Sequence, residues 1–194
     1  MENVFNNYYD ASEKRSNKPV PTGWFASHIS KMTVKRDVVI KNKWMANIYN
    51  FYIEISDEAK HREYDIEQED GTIQVGSGSE FVGRTVRSNG IFNFIAKGDY
   101  PVNSGGNDKY LEFCEVIGVE CPDMELEVNG EKRTVKVLPE IDESDVLGKA
   151  VNVFIDTGKP YTNNDGIEVT PRIVRTFSEW ANGETKDIEA PLPF

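Results

Sequence analysis

The stretch from Met45 to Ser56 alternates without a break. Tyr49, Phe51, Ile53 and Ile55 fall on one side of an extended chain, and Ile48, Asn50, Tyr52 and Glu54 on the other. A period of two over this length is the mark of a β-strand with one face in a core, because a helix would scatter the same residues around its axis. One strand cannot stand alone: three or more, with a shared apolar face, are needed for stability. The rest of the chain must therefore supply partners.

From Trp24, a second long strand carries Ala26, His28, Ser30, Met32 and Val34 on one face and Phe25, Ser27, Ile29, Lys31, Thr33 and Lys35 on the other, so both faces are mixed. Residues 57–80 are acidic, end in Gly76-Ser77-Gly78-Ser79 and read as a long loop. Phe81–Val86 and Gly90–Ala96 read as two short strands joined at Ser88-Asn89-Gly90, with Asn-Gly as the hairpin signal. Residues 108–117 form a helix candidate: Asn107 or Asp108 can cap it, Gly118 can stop it, and Tyr110, Leu111, Cys114 and Ile117 make one stripe. Leu111, Phe113 and Ile117 also share a strand face, so a strand stays open there. A hairpin follows, with Leu126–Val128 and Thr134–Leu138 about the Asn129-Gly130 turn. Lys149–Thr157 and Ile167–Ser178 flank a polar finger at 158–166, and Pro171 marks an edge or a bulge in the returning strand. The sum is a mainly β domain with seven or eight short strands and one central helix. That pattern fits a small Greek-key barrel of the OB-fold plan, with its helix in mid-chain. The expected organisation is an irregular arm at 1–22, a barrel domain at 23–180 and a flexible tail at 181–194.

At 194 residues, with 38% hydrophobic and 28% charged residues, the chain suits one domain with a real core. It has no apolar run of membrane-spanning length and no signal-peptide pattern at its start, and two cysteines make no disulfide framework. These features point to the cytoplasm and to no membrane partner. The net charge of −11 is unevenly spread. Residues 14–53 hold eight Lys/Arg against the single acid Asp37, whereas residues 54–80 hold nine acids. Screening over about 10 Å lets a basic face act beside acidic ones.

That basic segment is interleaved with aromatic residues. Binding of single strands needs cations along the backbone path and flat rings on which bases stack. Trp24, Lys31, Lys35, Arg36, Lys41, Lys43, Trp44 and Tyr52 supply both, and Arg84, Arg87, Phe92 and Phe94 add to them. Phe92 and Phe94 point the same way, as stacking rings or as core. In the finger, Lys159 and Tyr161 lie near Arg172 and Arg175 on the returning strand and can clamp a bound strand. Cys114 and Cys121 are separated by six intervening residues and only His28 and His61 are present, so no zinc pattern, other metal site or cofactor is expected. No nucleophile or phosphate-loop motif occurs, and no enzymatic activity or catalytic residue is expected.

The chain ends Ala190-Pro191-Leu192-Pro193-Phe194 behind Glu184, Asp187 and Glu189. A terminal Phe that carries its own carboxylate is a portable ligand for an apolar pocket with a cationic rim. The strand-rich body, the central helix, the Leu147-Gly148-Lys149 lead into a hairpin and this Pro-Phe tip together resemble the phage-encoded single-stranded DNA-binding proteins. The resemblance is sharpest over 187–194 and looser over 24–180. It implies an OB fold, coating of single-stranded DNA in bacteriophage DNA replication and recombination within the host cytoplasm, and recruitment of replication or recombination proteins by the tail, through Asp187, Glu189, Pro191, Pro193 and Phe194. The chain departs from that family in its few tail carboxylates, in Lys186, and in the arm at 1–22. A homodimer is left open. The alternative is a structural or protein-interaction component of a virion or assembly pathway.

Overall fold

Strand β1 (Gly23–Ile40) is the spine of the structure, a computed structural model that describes residues 18–67, 70–128 and 131–188. It pairs antiparallel along most of its length with β2 (Trp44–Ile55), and through its first six residues, Gly23 to His28, with β9 (Ala150–Thr157). β9 pairs with β12 (Arg172–Glu179), and β12 runs parallel to β5 (Thr85–Ser88) at Ile173–Arg87 and Val174–Ser88. β5 returns to β2 through Tyr52–Arg87, Ile53–Val86 and Glu54–Thr85, which closes a five-stranded ring. β6 (Ile91–Ile95) pairs with Met45–Tyr49 of β2 and extends the wall beyond the ring. Helix α1 (Asp108–Val116) lies in the chain between this wall and β9. A closed mainly β barrel with one main helix is compatible with the OB plan.

The alternation in β2 is borne out: Tyr49, Phe51, Ile53 and Ile55 are buried. The mixed faces of β1 resolve through a bulge, since its register with β2 shifts between Ile29 and Lys31. Phe25, Ser27 and Ile29 point inward before the bulge, Met32 points inward after it, and Lys31 is turned out. A bulge inserts one unpaired residue and so exchanges the two faces. Ser30 fills that role and donates from its hydroxyl to the Tyr52 carbonyl at 3.0 Å. A second shift between Lys35 and Val38 contains Asp37 at φ 57°, and a third in β12 at Arg175 brings Val174 and Phe177 onto the inner side.

Two sequence readings are corrected. Ser88-Asn89-Gly90 is not a hairpin turn, because β5 and β6 both pair antiparallel with β2 and therefore run the same way. They are one bent run: the Asn89 N–H turns to the Val174 carbonyl, and Gly90 crosses so close to Ile48 that an added Cβ would lie 2.5 Å from its Cγ2. Phe81 lies in a short 3-10 turn (Gly78–Phe81) and is fully buried. Nor are residues 57–80 simply a loop. They hold a 3-10 turn (Asp57–His61) and a hairpin of β3 (Glu63–Glu67) and β4 (Ile73–Ser77). Its inner face is pinned where Tyr64 stacks on Phe25, with centroids 4.4 Å apart and planes 8° from parallel, and where Ile66 is buried.

The helix reading of 108–116 holds. Tyr110, Phe113 and Cys114 are buried with Ile117 just beyond, and Gly118 at φ 72° ends the helix. Phe113 packs 4.3 Å from Phe51 and 5.0 Å from Phe177, closing one end of the barrel. Each such fully buried large side chain contributes roughly 1.5–3 kcal/mol of transfer free energy. β7 (Asp123–Val128) and β8 (Glu131–Lys136) form a separate hairpin, a short helix α2 (Glu143–Val146) leads into β9, and β10 (Tyr161–Thr162) with β11 (Glu168–Val169) makes the finger. Among the described residues no helix is long and apolar enough to cross a membrane.

The described C-terminal residues do not leave the barrel at 181. Trp180 sits 5.5 Å from the His28 ring, and His28 Nε2 lies 3.0 Å from the Glu184 carbonyl. The Lys186 N–H donates to Gly148 at 2.9 Å, and its ammonium lies 2.6 Å from Glu54. Residues 180–186 are thus a strap along the outer wall. Asp187 is exposed, and Glu189, Pro191, Pro193 and Phe194 lie outside the described residues, as does most of the arm at 1–22.

Candidate nucleic-acid interface

The outward face of β1, β2, β5 and β6 collects much of the basic and aromatic set. Residues paired across a sheet share a face. On that rule the row Lys31–Tyr52–Arg87–Ile173 crosses four strands, and Lys35–Ile48–Phe92 forms a second row. Phe94, paired with the buried Ala46, and the Ile40–Trp44 pair continue the surface toward the β1–β2 turn, where Lys41 and Lys43 stand exposed. The bulge at Ser30 makes the first row possible, because without it Lys31 would face the core.

Two groups of rings stand on this face. Phe92 and Phe94 are stacked at 5.9 Å with planes 17° apart, and Trp44 meets Phe94 edge-on at 6.2 Å. All three are half-buried, so each keeps part of its surface open. The Lys43 ammonium lies 4.6 Å from the Trp44 ring centre. The second group is Tyr52, also half-buried, with Lys31 Nζ at 5.8 Å and Arg87 Cζ at 5.9 Å from its centroid. Arg87 is steadied by a 3.1 Å bond to Asn50 Oδ1. Among the described residues Lys31, Lys35, Lys41 and Lys43 take part in no ion pair, so their charges face solvent. A face of this kind presents stacking surface and cations side by side, the two elements that hold single strands.

The other sequence-predicted residues lie elsewhere. Arg36, in the second bulge, is bound to Glu140 and lies 3.7 Å from Asp142. Arg84 donates to the Lys18 carbonyl and lies 5.7 Å from the Phe81 ring, and burial lowers its pKa against the opposing pull of Glu80. It ties the incoming chain to the barrel and does not join the outward face. Trp24 packs 5.5 Å from Phe154 on the β1–β9 wall. Arg172 bonds Thr22 and Thr157, and Arg175 bonds the Thr157 carbonyl at 2.8 Å and lies 3.6 Å from Asp156. With exposed Lys159 and Tyr161 these form a second cluster at the finger, which meets the first where Ile173 stands between Arg87 and Asp156.

Sequence reasoning did not single out Ile48, Asn50, Ile173 or Phe154 on this surface, although Ile48 and Asn50 share the outward alternation of Tyr52. It read Asn107 only as a possible helix cap. This buried residue opens α1, but its side chain turns to the backbone of Phe94: it accepts from the N–H at 2.6 Å and donates to the carbonyl at 3.0 Å. One amide thereby seals the open edge of β6 and holds Phe94 in place. Cys114 and Cys121 are free and buried, and burial with Cys121 beside it pushes the Cys114 thiol up to about 12. In comparisons with protein-family models, curated proteins and solved structures, the chain gives no significant match.

Proposed function

We propose that this chain binds single-stranded DNA on the outward face of β1, β2, β5 and β6, without catalysis, in the manner of phage-type replication and recombination proteins in the cytoplasm. One observation carries the reading: partly open rings and unpaired cations, drawn from four strands, share one surface of an OB-like barrel. The strand face and neighbouring loops of such barrels bind oligonucleotides. Lys31, Lys35, Lys41, Lys43 and Arg87 neutralise phosphates, while Trp44, Tyr52, Phe92 and Phe94 offer rings to bases. The finger residues Lys159 and Tyr161, with Trp24, Arg172 and Arg175, extend the path. The Pro-Phe tip serves partner proteins, and the acidic remainder of the surface limits non-specific association.

The test is a titration with oligo-dT against duplex DNA of equal length, followed by tryptophan fluorescence over a range of salt. Quenching by oligo-dT with a steep salt dependence is expected, and weak binding to duplex. Unchanged fluorescence and no binding at low salt would remove the reading and favour a purely protein-binding role.

A further inference from the structure

β5 and β12 run side by side only at Arg87–Ile173 and Ser88–Val174, and the Asn89 N–H makes the last link, 3.3 Å from the Val174 carbonyl. Beyond it the chain turns through Gly90 into β6, which pairs with β2, while β12 goes on beside β9. The two strands part, and α1 spans the fork. Phe113 packs 5.0 Å from Phe177 of β12, and Asn107 bonds both backbone groups of Phe94 on β6. A cleft of about 140 Å³ is left there. It adjoins the end of the row Lys31–Tyr52–Arg87–Ile173 and so continues the proposed DNA face.

The cleft has an apolar floor and a charged mouth. Ile91 and Phe113 are buried and Phe177 is half-buried, whereas Asn89, Lys109 and Glu112 are exposed. An apolar hollow with a few placed polar groups is the usual form of a small-ligand site, and those for drug-sized ligands run to roughly 300–1,000 Å³. This one is smaller and suits a single flat heterocycle. Lys109 and Glu112, three residues apart on α1, are neighbours on the helix surface. Among the described residues neither side chain takes part in an ion pair or hydrogen bond, with the other or elsewhere. A carboxylate beside a phosphate path weakens binding unless a donor on the nucleic acid meets it.

We infer that the cleft receives one base of the bound strand and selects guanine, with Glu112 accepting from N1–H and the N2 amino group while Lys109 donates to O6. An ionised carboxylate only accepts, and its two oxygens ask for two adjacent donors. On the edge that faces away from the sugar, guanine alone places two N–H groups side by side. Adenine and cytosine set an amino group beside a bare ring nitrogen, and thymine sets one N–H between two carbonyls, so each of them turns a lone pair toward Glu112. O6 lies next to N1 on the same edge, where the neighbouring ammonium of Lys109 is the matching donor. The mouth is fixed in advance, on one side by the Asn89–Val174 link and on the other by the packing of Phe113 on Phe177, so little ordering is left for the bound state. The inference rests on the single-strand reading above.

The experiment measures the full-length protein on an end-labelled oligo-dT and on the same oligonucleotide with one central dG, dA or deoxyinosine, by fluorescence anisotropy. The wild type should bind the dG oligonucleotide about tenfold more tightly than plain oligo-dT, within the range of one bidentate base contact. The dA oligonucleotide should bind no better than oligo-dT. Deoxyinosine keeps N1–H but lacks the N2 amino group, and should lose most of the gain. Glu112→Ala and Lys109→Ala alter exposed side chains, so the fold should persist, which circular dichroism checks. Each changes the charge beside the strand, and the readout is therefore the dG-to-dT affinity ratio within each variant. Glu112→Ala should bring that ratio close to one, and Lys109→Ala should lower it. Equal wild-type affinity for the dG and dT oligonucleotides, a dA gain equal to that of dG, or a dG preference that survives Glu112→Ala would each overturn the guanine cleft while oligo-dT binding keeps the DNA reading in place. Absence of binding to every oligonucleotide would remove both.

Discussion

Replacing Tyr52 by alanine tests the proposed face at its centre. The ring stands between paired neighbours on β1 and β5, with Lys31 and Arg87 within 6 Å of its centroid, and it is half-exposed. In the free protein the loss is two cation–π contacts of roughly 0.5–1 kcal/mol each, so unfolding free energy should fall by about 1–2 kcal/mol. At roughly 2–4 °C per kcal/mol for a domain of this size, Tm drops by a few degrees. In the complex the loss is one base–ring stack, about 1–3 kcal/mol. At ~1.4 kcal/mol per tenfold, affinity for oligo-dT should weaken about 5- to 150-fold. Asn50 still holds Arg87, so the phosphate contacts survive and the slope of log affinity against log salt should not change. Tyr52→Phe keeps the ring and should bind nearly as the wild type does, whereas Tyr52→Leu keeps apolar volume without a flat ring and should resemble alanine. Fluorescence titration of the three variants at several salt concentrations decides the matter. A leucine variant that binds like the wild type, or an alanine variant whose defect is a changed salt slope, would refute the stacking role.

Lys31→Ala, Lys35→Ala and Lys43→Ala should each reduce the salt slope by about 0.7, the value per phosphate for single strands, whereas Arg36→Ala should leave it unchanged because Glu140 and Asp142 already engage that guanidinium. Asn107→Ala strands two backbone groups of Phe94 and should cost roughly 2–3 kcal/mol, read as a lower denaturant midpoint at unchanged m-value. Gly148→Ala forces a Cβ to 1.9 Å from the Lys186 carbonyl at a backbone φ of 74°, so the strap should lift and Trp180 emission shift toward that of exposed indole, with oligo-dT affinity retained. Alkali should destabilise the fold: Tyr64, Tyr110 and Cys114 hold their protons to higher pH in the folded chain than in the unfolded one, chiefly through burial, so stability present below the ordinary thiol value of 9.0 declines as pH rises toward about 12, which Tm measured across that range follows.

Local chemistry carried much of this protein's architecture into its sequence. The period of two in β2, the stripe and glycine stop of α1, the pairing of β7 with β8 and the long β9–finger–β12 unit depend on neighbours in the chain, and neighbours in the chain can be read. The outward partners of Tyr52 followed from the same alternation as far as β2 reached. What lay beyond reading were events set by distant residues. The bulge at Ser30 is chosen because β1 must serve two partners while keeping Ile29 and Met32 inside and Lys31 outside, and no local signal marks it. Asn89-Gly90 carries the letters of a hairpin, but Val174 and Ile48 make it a bend, since a parallel strand was there to receive the Asn89 N–H. Arg36 and Arg84 read as free cations until the fold brought Glu140 to one and the Lys18 carbonyl to the other. The chain from 181 read as a tail because it is polar and short of apolar residues, yet Gly148, His28 and Glu54 gather from three separate segments to bind its residues 184–186. Sequence determines the faces each strand can offer. Closure of the barrel decides which faces meet, because that choice rests on contacts between residues far apart along the chain.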